Sequence, residues 1–299
     1  MPTPSPLQKN NVHIVGNLSA DNTMIFVHGL GTDQTVWQPI AAEFEATHRI
    51  ILFDNMGAGA TTPDEDFALH YHSIDRYADN LLAICGYLQI ENAVIVGHSV
   101  GAMISLLAET QYPGCFSHLI MIGASPCYLN HPDYSGGFTS ADLNNIYKAV
   151  THHFDDWVID FASSAMANHD KPHLSIYFAQ TIRSFQPEFM LTVLSSILNS
   201  DFRNRLPSVV TPTLIIQSLN DVFVPLQVAT YLNNQITNSE LSIINAQGHL
   251  PHISAHPAVV DAIKAFLHIP PTLTAPPAAA VRTSCSNSCS PPGLMNQHC

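Results

Sequence analysis

The sequence predicts an α/β protein: a mostly parallel sheet with helices on both faces, interrupted late in the chain by an all-helical insertion. Three observations predict it. Short apolar runs alternate with helical patterns over residues 12–126 and again over 207–269. The intervening 127–206 holds four helical patterns and no convincing strand. The run Ala93-Val94-Ile95-Val96 passes through Gly97-His98-Ser99-Val100-Gly101 into the small apolar stretch Ala102 to Ala108, which reads as strand, tight turn and helix. Strands that alternate with helices build a parallel sheet covered on both sides.

In chain order, 1–11 reads as a flexible lead. Val12-His13-Ile14-Val15 and Met24-Ile25-Phe26-Val27 read as strands, with Gly16-Asn17 and Asp21-Asn22 as turn signals between them. His28-Gly29-Leu30-Gly31 follows directly, and its glycines let the backbone approach a bound group. Val36 to Thr47 reads as a helix capped by Asp33 or Thr35, and Arg49 to Phe53 as a strand. Ser73 is placed to cap a helix reaching Leu88, with Ile74, Tyr77, Ala78, Leu81, Leu82 and Cys85 on its apolar face. After the serine turn comes a strand at Leu119 to Ile122. Four helices follow, near 139–152, 154–167, 173–185 and 187–199, punctuated by Pro172 and Pro187. The sheet resumes with a strand at Thr213 to Gln217, a helix at Pro225 to Asn233, a strand at Leu241 to Ile244 and a helix at Pro257 to His268. From 270 the chain is rich in Pro, Ser and Ala and is expected to be disordered.

With 299 residues, 46% of them hydrophobic, the chain can bury one large core with an insertion. A net charge of −13 with no basic stripe argues against nucleic acid and anionic membranes as partners. No apolar run approaches the ~20 residues of a membrane span, and the first eleven residues lack a signal-peptide core. The expected location is the cytoplasm, with the nucleus as the alternative. Cys85, Cys115 and Cys127 lie in structured surroundings and Cys285, Cys289 and Cys299 in the tail. No C-x-x-C pair occurs and the seventeen histidines are scattered, so no metal site is indicated. No Walker sequence or strand-linked G-x-G-x-x-G is present, so no cofactor is expected.

The turn at 97–101 has the G-x-S-x-G form in which a serine sits on a strained strand-to-helix turn, its hydroxyl over a helix N-terminus. Alone the pattern is weak. A serine hydroxyl needs a base near neutrality, and the base needs an orienting carboxylate. Ser99, Asp221 and His249 stand in the order serine, aspartate, histidine, each just after a strand, which is far more specific. Asp221 has an alternative role as a helix cap, and His252 is an alternative base. His98 reads as a pocket-wall or structural residue. The backbone N–H groups of Val100 and Leu30 are the expected oxyanion donors.

HGLGTDQTVW at 28–37, ILFDNMGAG at 51–59, VGHSVGAMI at 96–104, ASPCYLNHPDYSGGF at 124–138, SLNDVFVP at 218–225 and GHLPHISAHP at 248–257 together resemble the RsbQ-type group of α/β-hydrolases. That group comprises the bacterial RsbQ regulator and the plant strigolactone and karrikin receptor-like hydrolases. The resemblance spans most of 12–268. It implies the α/β-hydrolase fold, with a four-helix lid inserted after the sixth strand over an apolar pocket. It implies slow hydrolysis of small apolar esters or butenolides, and a signalling role in which the lid binds a protein partner. Positions matching that group's pocket are Leu30, His98, Tyr128, Phe138, Trp157, Phe161, Phe178, Val222 and Phe223. Leu30 departs from the group's usual phenylalanine, and 139–200 matches in outline rather than in residue identity. Three readings follow: a serine hydrolase of small esters or lactones, a ligand-responsive signalling module, and a general small-ester carboxylesterase with no signalling role.

Overall fold

The structure is a computed structural model and describes residues 4–63 and 65–269. In order it comprises α1 (Pro6–Lys9), β1 (His13–Gly16), β2 (Thr23–Val27), a 3-10 turn (Gln34–Trp37) leading into α2 (Gln38–Ala41), β3 (Arg49–Leu52), α3 (Phe67–His70), α4 (Asp75–Leu88), β4 (Ala93–His98), α5 (Val100–Gln111) and β5 (Phe116–Ile122). Four helices follow: α6 (Ser140–His152), α7 (Phe154–Met166), α8 (Pro172–Arg183) and α9 (Pro187–Leu198). A 3-10 turn (Arg203–Ser208) leads to β6 (Thr213–Asn220), α10 (Leu226–Gln235), β7 (Ser239–Gln247), α11 (Pro251–Ser254) and α12 (His256–Phe266).

The seven strands form one sheet in the order β1-β3-β2-β4-β5-β6-β7. β1 is antiparallel to β3 and all other pairs are parallel. The inner strands are buried on both faces, whereas the edge strands β1 and β7 are partly exposed. Ile25, Val27, Ile51 and Ile95 pack on one side with α4, α5 and α10. Met24, Phe26, Ile50, Val94 and Val96 pack on the other with Trp37, Ile40, Val259 and Ile263. This alternation is the period of two expected of a strand with two apolar neighbours. Strand order reverses between β2 and β4, so the loops after them open a crevice at their carboxyl ends, where open α/β sheets bind ligands. The loop after β2 carries Leu30 and that after β4 carries Ser99.

Several elements differ from expectation. The lid helices follow the fifth strand rather than a sixth. Within the stretch read as a flexible lead, Pro6–Lys9 form α1, closed by a capping box in which the Ser5 side chain and the Gln8 side chain satisfy each other's backbone N–H. Nor are residues 5–11 a loose lead. Asn10 is buried and its side-chain amide donates to Asp54 O at 3.1 Å, and Asn11 donates to Asp54 Oδ2 at 2.7 Å. The helix expected over 36–47 is divided into a 3-10 turn capped by Asp33 and a single α turn. Pro39 there has no N–H to extend a regular ladder. Pro172 and Pro187 each open a lid helix, where a missing N–H costs nothing. Within the lid, α6 packs on α7 and α9, and α7 packs on α8. The sheet and these helices belong to one compact unit that ends at Ile269; the tail expected from 270 lies outside the described residues.

Candidate active site

Ser99 is the residue between β4 and α5, with φ +54° and ψ −122°. A non-glycine residue rarely adopts a positive φ, and such strain persists only when the surroundings enforce it. Here two glycines permit the turn. A Cβ on Gly97 would lie 2.5 Å from Gly101 O, and a Cβ on Gly101 would lie 2.2 Å from Val27 O. The Ser99 hydroxyl is thereby lifted over the amino end of α5, and Val100 as its first residue has an N–H without an intrahelical acceptor.

His249 follows β7 and Asp221 follows β6. His249 Nε2 lies 2.9 Å from Ser99 Oγ, and Nδ1 lies 2.8 Å from Asp221 Oδ2. A carboxylate only accepts, so Nδ1 carries the proton and Nε2 accepts from Ser99. The Asp221 side chain is 1% exposed. It also accepts from Phe223 N at 2.9 Å, Val224 N at 3.0 Å and Gln217 Nε2 at 3.2 Å. Burial pushes its pKa up, but the adjacent His249 and the two backbone donors outweigh that, and the carboxyl is held below the usual range. The cap role weighed for Asp221 is thus real as well: one oxygen closes the turn at 223–224 while the other meets the imidazole.

His252 does not compete for the serine. It is fully buried, its ring lies 4.8 Å from that of Trp37 and 4.1 Å from that of His98, and neither nitrogen has a hydrogen-bond partner among the described residues. Burial drives its pKa down to about 3, which keeps it neutral. His98 lies beneath His249, on the border of the cavity. Its Nε2 donates to His249 O at 2.8 Å, while His249 N donates to Ala165 O of α7 at 2.7 Å. The backbone of His249 is therefore held from below by the sheet and from above by the lid. Gly248 makes this approach feasible, because a Cβ there would lie 2.2 Å from Met166 O. Sequence reading missed Gln217, Ala165 and the role of Gly248.

A cavity of about 540 Å3 opens over Ser99. Leu30, His98, Tyr128, Phe138, Trp157, Phe161, Phe178 and Phe223 border it. Val222 does not. It is 60% exposed, because the turn closed by Asp221 directs Phe223 inward and its neighbour outward. Tyr128 Oη lies 3.3 Å from Ser99 Oγ. Since the serine proton is committed to His249, the phenol is the donor in that contact. Burial pushes the Tyr128 pKa up to about 12 and keeps the proton on. The aromatic walls are in mutual contact, with Trp157 and Phe161 stacked at 4.9 Å and Phe161 5.1 Å from Phe223. Asp142, Asn145, Asp160 and Ser164 add polar groups to the lining that the sequence did not single out. No helix among the described residues is long and apolar enough to cross a membrane.

Residues 22–255 match the model of the α/β-hydrolase fold family. The chain is 38% identical over 250 residues to the Strigolactone esterase D14 of Arabidopsis thaliana, covering 83% of this chain and 92% of that one. It is 35% identical over 263 residues to a Karrikin insensitive 2 receptor of Petunia hybrida, covering 87% and 96%. Among solved structures, a hydrolase from Oleispira antarctica superposes with a TM-score of 0.84 at 30% identity, covering 88% and 96%. The seven-stranded sheet, the serine on its strand-to-helix turn and this breadth of similarity lead to one conclusion: the chain belongs to the α/β-hydrolase fold family and is similar over most of its length to the strigolactone esterases and karrikin receptors within it.

Proposed function

We propose that the protein is a serine hydrolase of small apolar esters or lactones, butenolides of the strigolactone type included, working through Ser99, His249 and Asp221. The observation that carries this reading is the continuous chain of contacts from Asp221 Oδ2 through His249 to Ser99 Oγ, at 2.8 and 2.9 Å, at the floor of an aromatic cavity. His249 Nε2 takes the serine proton as Oγ attacks the carbonyl carbon. The oxyanion that forms is met by the N–H groups of Val100 and Leu30, each donor of this kind being worth ~10²–10³ in rate. The tetrahedral intermediate collapses, the leaving oxygen takes the proton from His249, and an acyl group remains on Ser99. Water then attacks, activated by the same imidazole, and releases the acid. Asp221 stays ionised throughout, holding the Nδ1–H tautomer and stabilising the imidazolium.

The cavity supports the substrate class. Its walls are mostly aromatic and leucine or isoleucine side chains, with Asp142 and Asp160 among the few polar groups, so an apolar acyl or lactone ring is favoured and an anionic one disfavoured. The similarity to a strigolactone esterase and to karrikin receptors favours a second, coupled role in signalling, with the lid helices as the surface for a protein partner. Turnover of nitrophenyl acetate and of a synthetic strigolactone-type butenolide, by wild type and Ser99→Ala, tests the reading. Both activities should fall by at least ~10³ in the variant. Full activity in Ser99→Ala would refute the nucleophile. Fast acetate turnover with the butenolide untouched would favour a general carboxylesterase.

A further inference from the structure

Outside the site, one side-chain cluster carries chemistry that the hydrolysis does not use. Cys127 leaves the sheet after β5, His131 lies four residues on, and Asp201 lies just after α9. Their ligand atoms Sγ, a ring nitrogen and a carboxylate oxygen all fall within 4.8 Å of one another. Cys127 and Asp201 form an isolated antiparallel β-bridge, and Phe202 N donates to Pro126 O at 2.8 Å. The cluster therefore sits where the chain enters and leaves the helical insertion.

We propose that Cys127, His131 and Asp201 form a zinc site at the neck of the lid, joining the segment that leaves the sheet to the segment that returns to it. The donor set is one thiolate, one imidazole and one carboxylate, which suits a borderline-soft divalent cation. Cys127 Sγ and His131 Nε2 stand 3.5 Å apart. Two ligands at Zn–S ~2.3 Å and Zn–N ~2.0–2.1 Å in tetrahedral geometry are separated by about the same distance. Asp201 must close by roughly 1 Å to share that centre, judged from the same bond lengths. Both Asp201 and His131 are exposed, so the side chains have room to adjust and an ion has a way in.

The surroundings are built to hold the ligands. Arg203 N and Nε donate to Asp201 Oδ1 at 3.1 and 2.9 Å and Nη2 donates to Oδ2 at 2.6 Å, which leaves Oδ2 with a lone pair for an ion. The same guanidinium lies 4.9 Å over the Tyr134 ring, and Tyr134 Oη donates to Cys127 O at 2.8 Å. His131 is fixed on a turn closed by paired backbone bonds with Tyr134 and stiffened by Pro132. Orientation of first ligands by outer partners of this sort is how metal sites are usually secured. Zinc takes the thiolate form of cysteine, so binding forms the Zn–S bond and releases the Cys127 proton to solvent, with no change of oxidation state. The neighbouring residue is Tyr128, whose phenol meets Ser99, so an ion here braces the wall of the cavity as well as the lid.

The test is a Co2+ titration of the full-length chain, stripped with chelator under reductant and followed by optical absorption. One equivalent should produce a thiolate-to-cobalt charge-transfer band with tetrahedral ligand-field bands, bleached by one equivalent of Zn2+. The band should vanish in Cys127→Ser and in His131→Asn, and persist in the triple variant Cys285→Ser, Cys289→Ser, Cys299→Ser. His131→Asn alters only an exposed imidazole and carries the test if Cys127→Ser fails to fold. Absence of the band in wild type, its survival in His131→Asn, or its loss in the tail variant would overturn the proposal.

Discussion

Gly248→Ala should disable the enzyme without touching any reacting group. The native φ is +83°, and a Cβ would sit 2.2 Å from Met166 O and 2.5 Å from Ala165 O. Those are backbone atoms of the lid, so no side chain can swing aside. Ordinary contact begins near 3.4 Å, and opening from 2.2 Å requires a shift of about 1.2 Å. Either the loop carrying His249 drops or α7 lifts, and both break the 2.7 Å bond from His249 N to Ala165 O. A comparable shift of the His249 loop takes Nε2 from 2.9 Å to about 4.1 Å from Ser99 Oγ, beyond general-base reach. General-base catalysis contributes ~10²–10⁴, so kcat/KM should fall by that factor, or about 3–5 kcal/mol in the barrier. The backbone conformation alone costs an alanine ~1–2 kcal/mol of stability. Gly114→Ala isolates that cost, because φ is +90° there and nothing lies within 4 Å of the added Cβ. The assay is nitrophenyl acetate hydrolysis beside thermal melts. Melting should fall for both variants and activity for Gly248→Ala alone. A folded Gly248→Ala protein within about twofold of wild-type kcat/KM would refute this account of how His249 is placed.

Other outcomes follow from the same geometry. Asp221→Asn should leave the fold in place and lower kcat by ~10³–10⁴, since the amide favours the wrong imidazole tautomer; a loss under tenfold in steady-state kinetics would contradict this. Phe161→Ala should raise KM for an aromatic ester while kcat changes little, because Phe161 walls the cavity without contact to Ser99; an equal fall in kcat would place it in the chemistry instead. Acid should destabilise the fold through His28, His98 and His252, whose pKa values burial holds below the ordinary 6.5. Because the neutral form is the buried one, that stability is present above pH 6.5. It declines as pH falls from 6.5 toward each folded-state value, by up to ~1.4 kcal/mol per pH unit for each group. Urea unfolding at pH 7.5 and pH 5.5 measures this, and an unchanged midpoint would contradict it.

Much of this molecule was legible in the sequence, for identifiable reasons. The central strands are pure apolar runs because both faces are covered, and the lid helices begin at Pro172 and Pro187, where proline is tolerated. The order Ser99, Asp221, His249 could be read because each follows a strand and a parallel sheet gathers all such ends at one edge. What stayed hidden depends on contacts between distant backbones. Nothing near His98 in sequence reveals that it holds the carbonyl of His249, 151 residues away. Val222 and Phe223 look alike as apolar neighbours, and only the turn closed by Asp221 decides which faces the cavity. The first eleven residues look loose because they are short and polar, yet Asn10 and Asn11 anchor to Asp54. His252, the alternative base, is enclosed beside Trp37, which its position three residues after His249 does not reveal.

The most direct test of the central claim is covalent labelling of the full-length chain with an alkyl phosphonate ester, read by intact-protein mass and peptide mapping. An activated serine should take one phosphonyl group, mapped to Ser99, with labelling slowed at least ~10²-fold in His249→Ala, the usual contribution of a general base. No adduct on the folded wild type, or an adduct at Tyr128 or a cysteine with Ser99 unmodified, would contradict it.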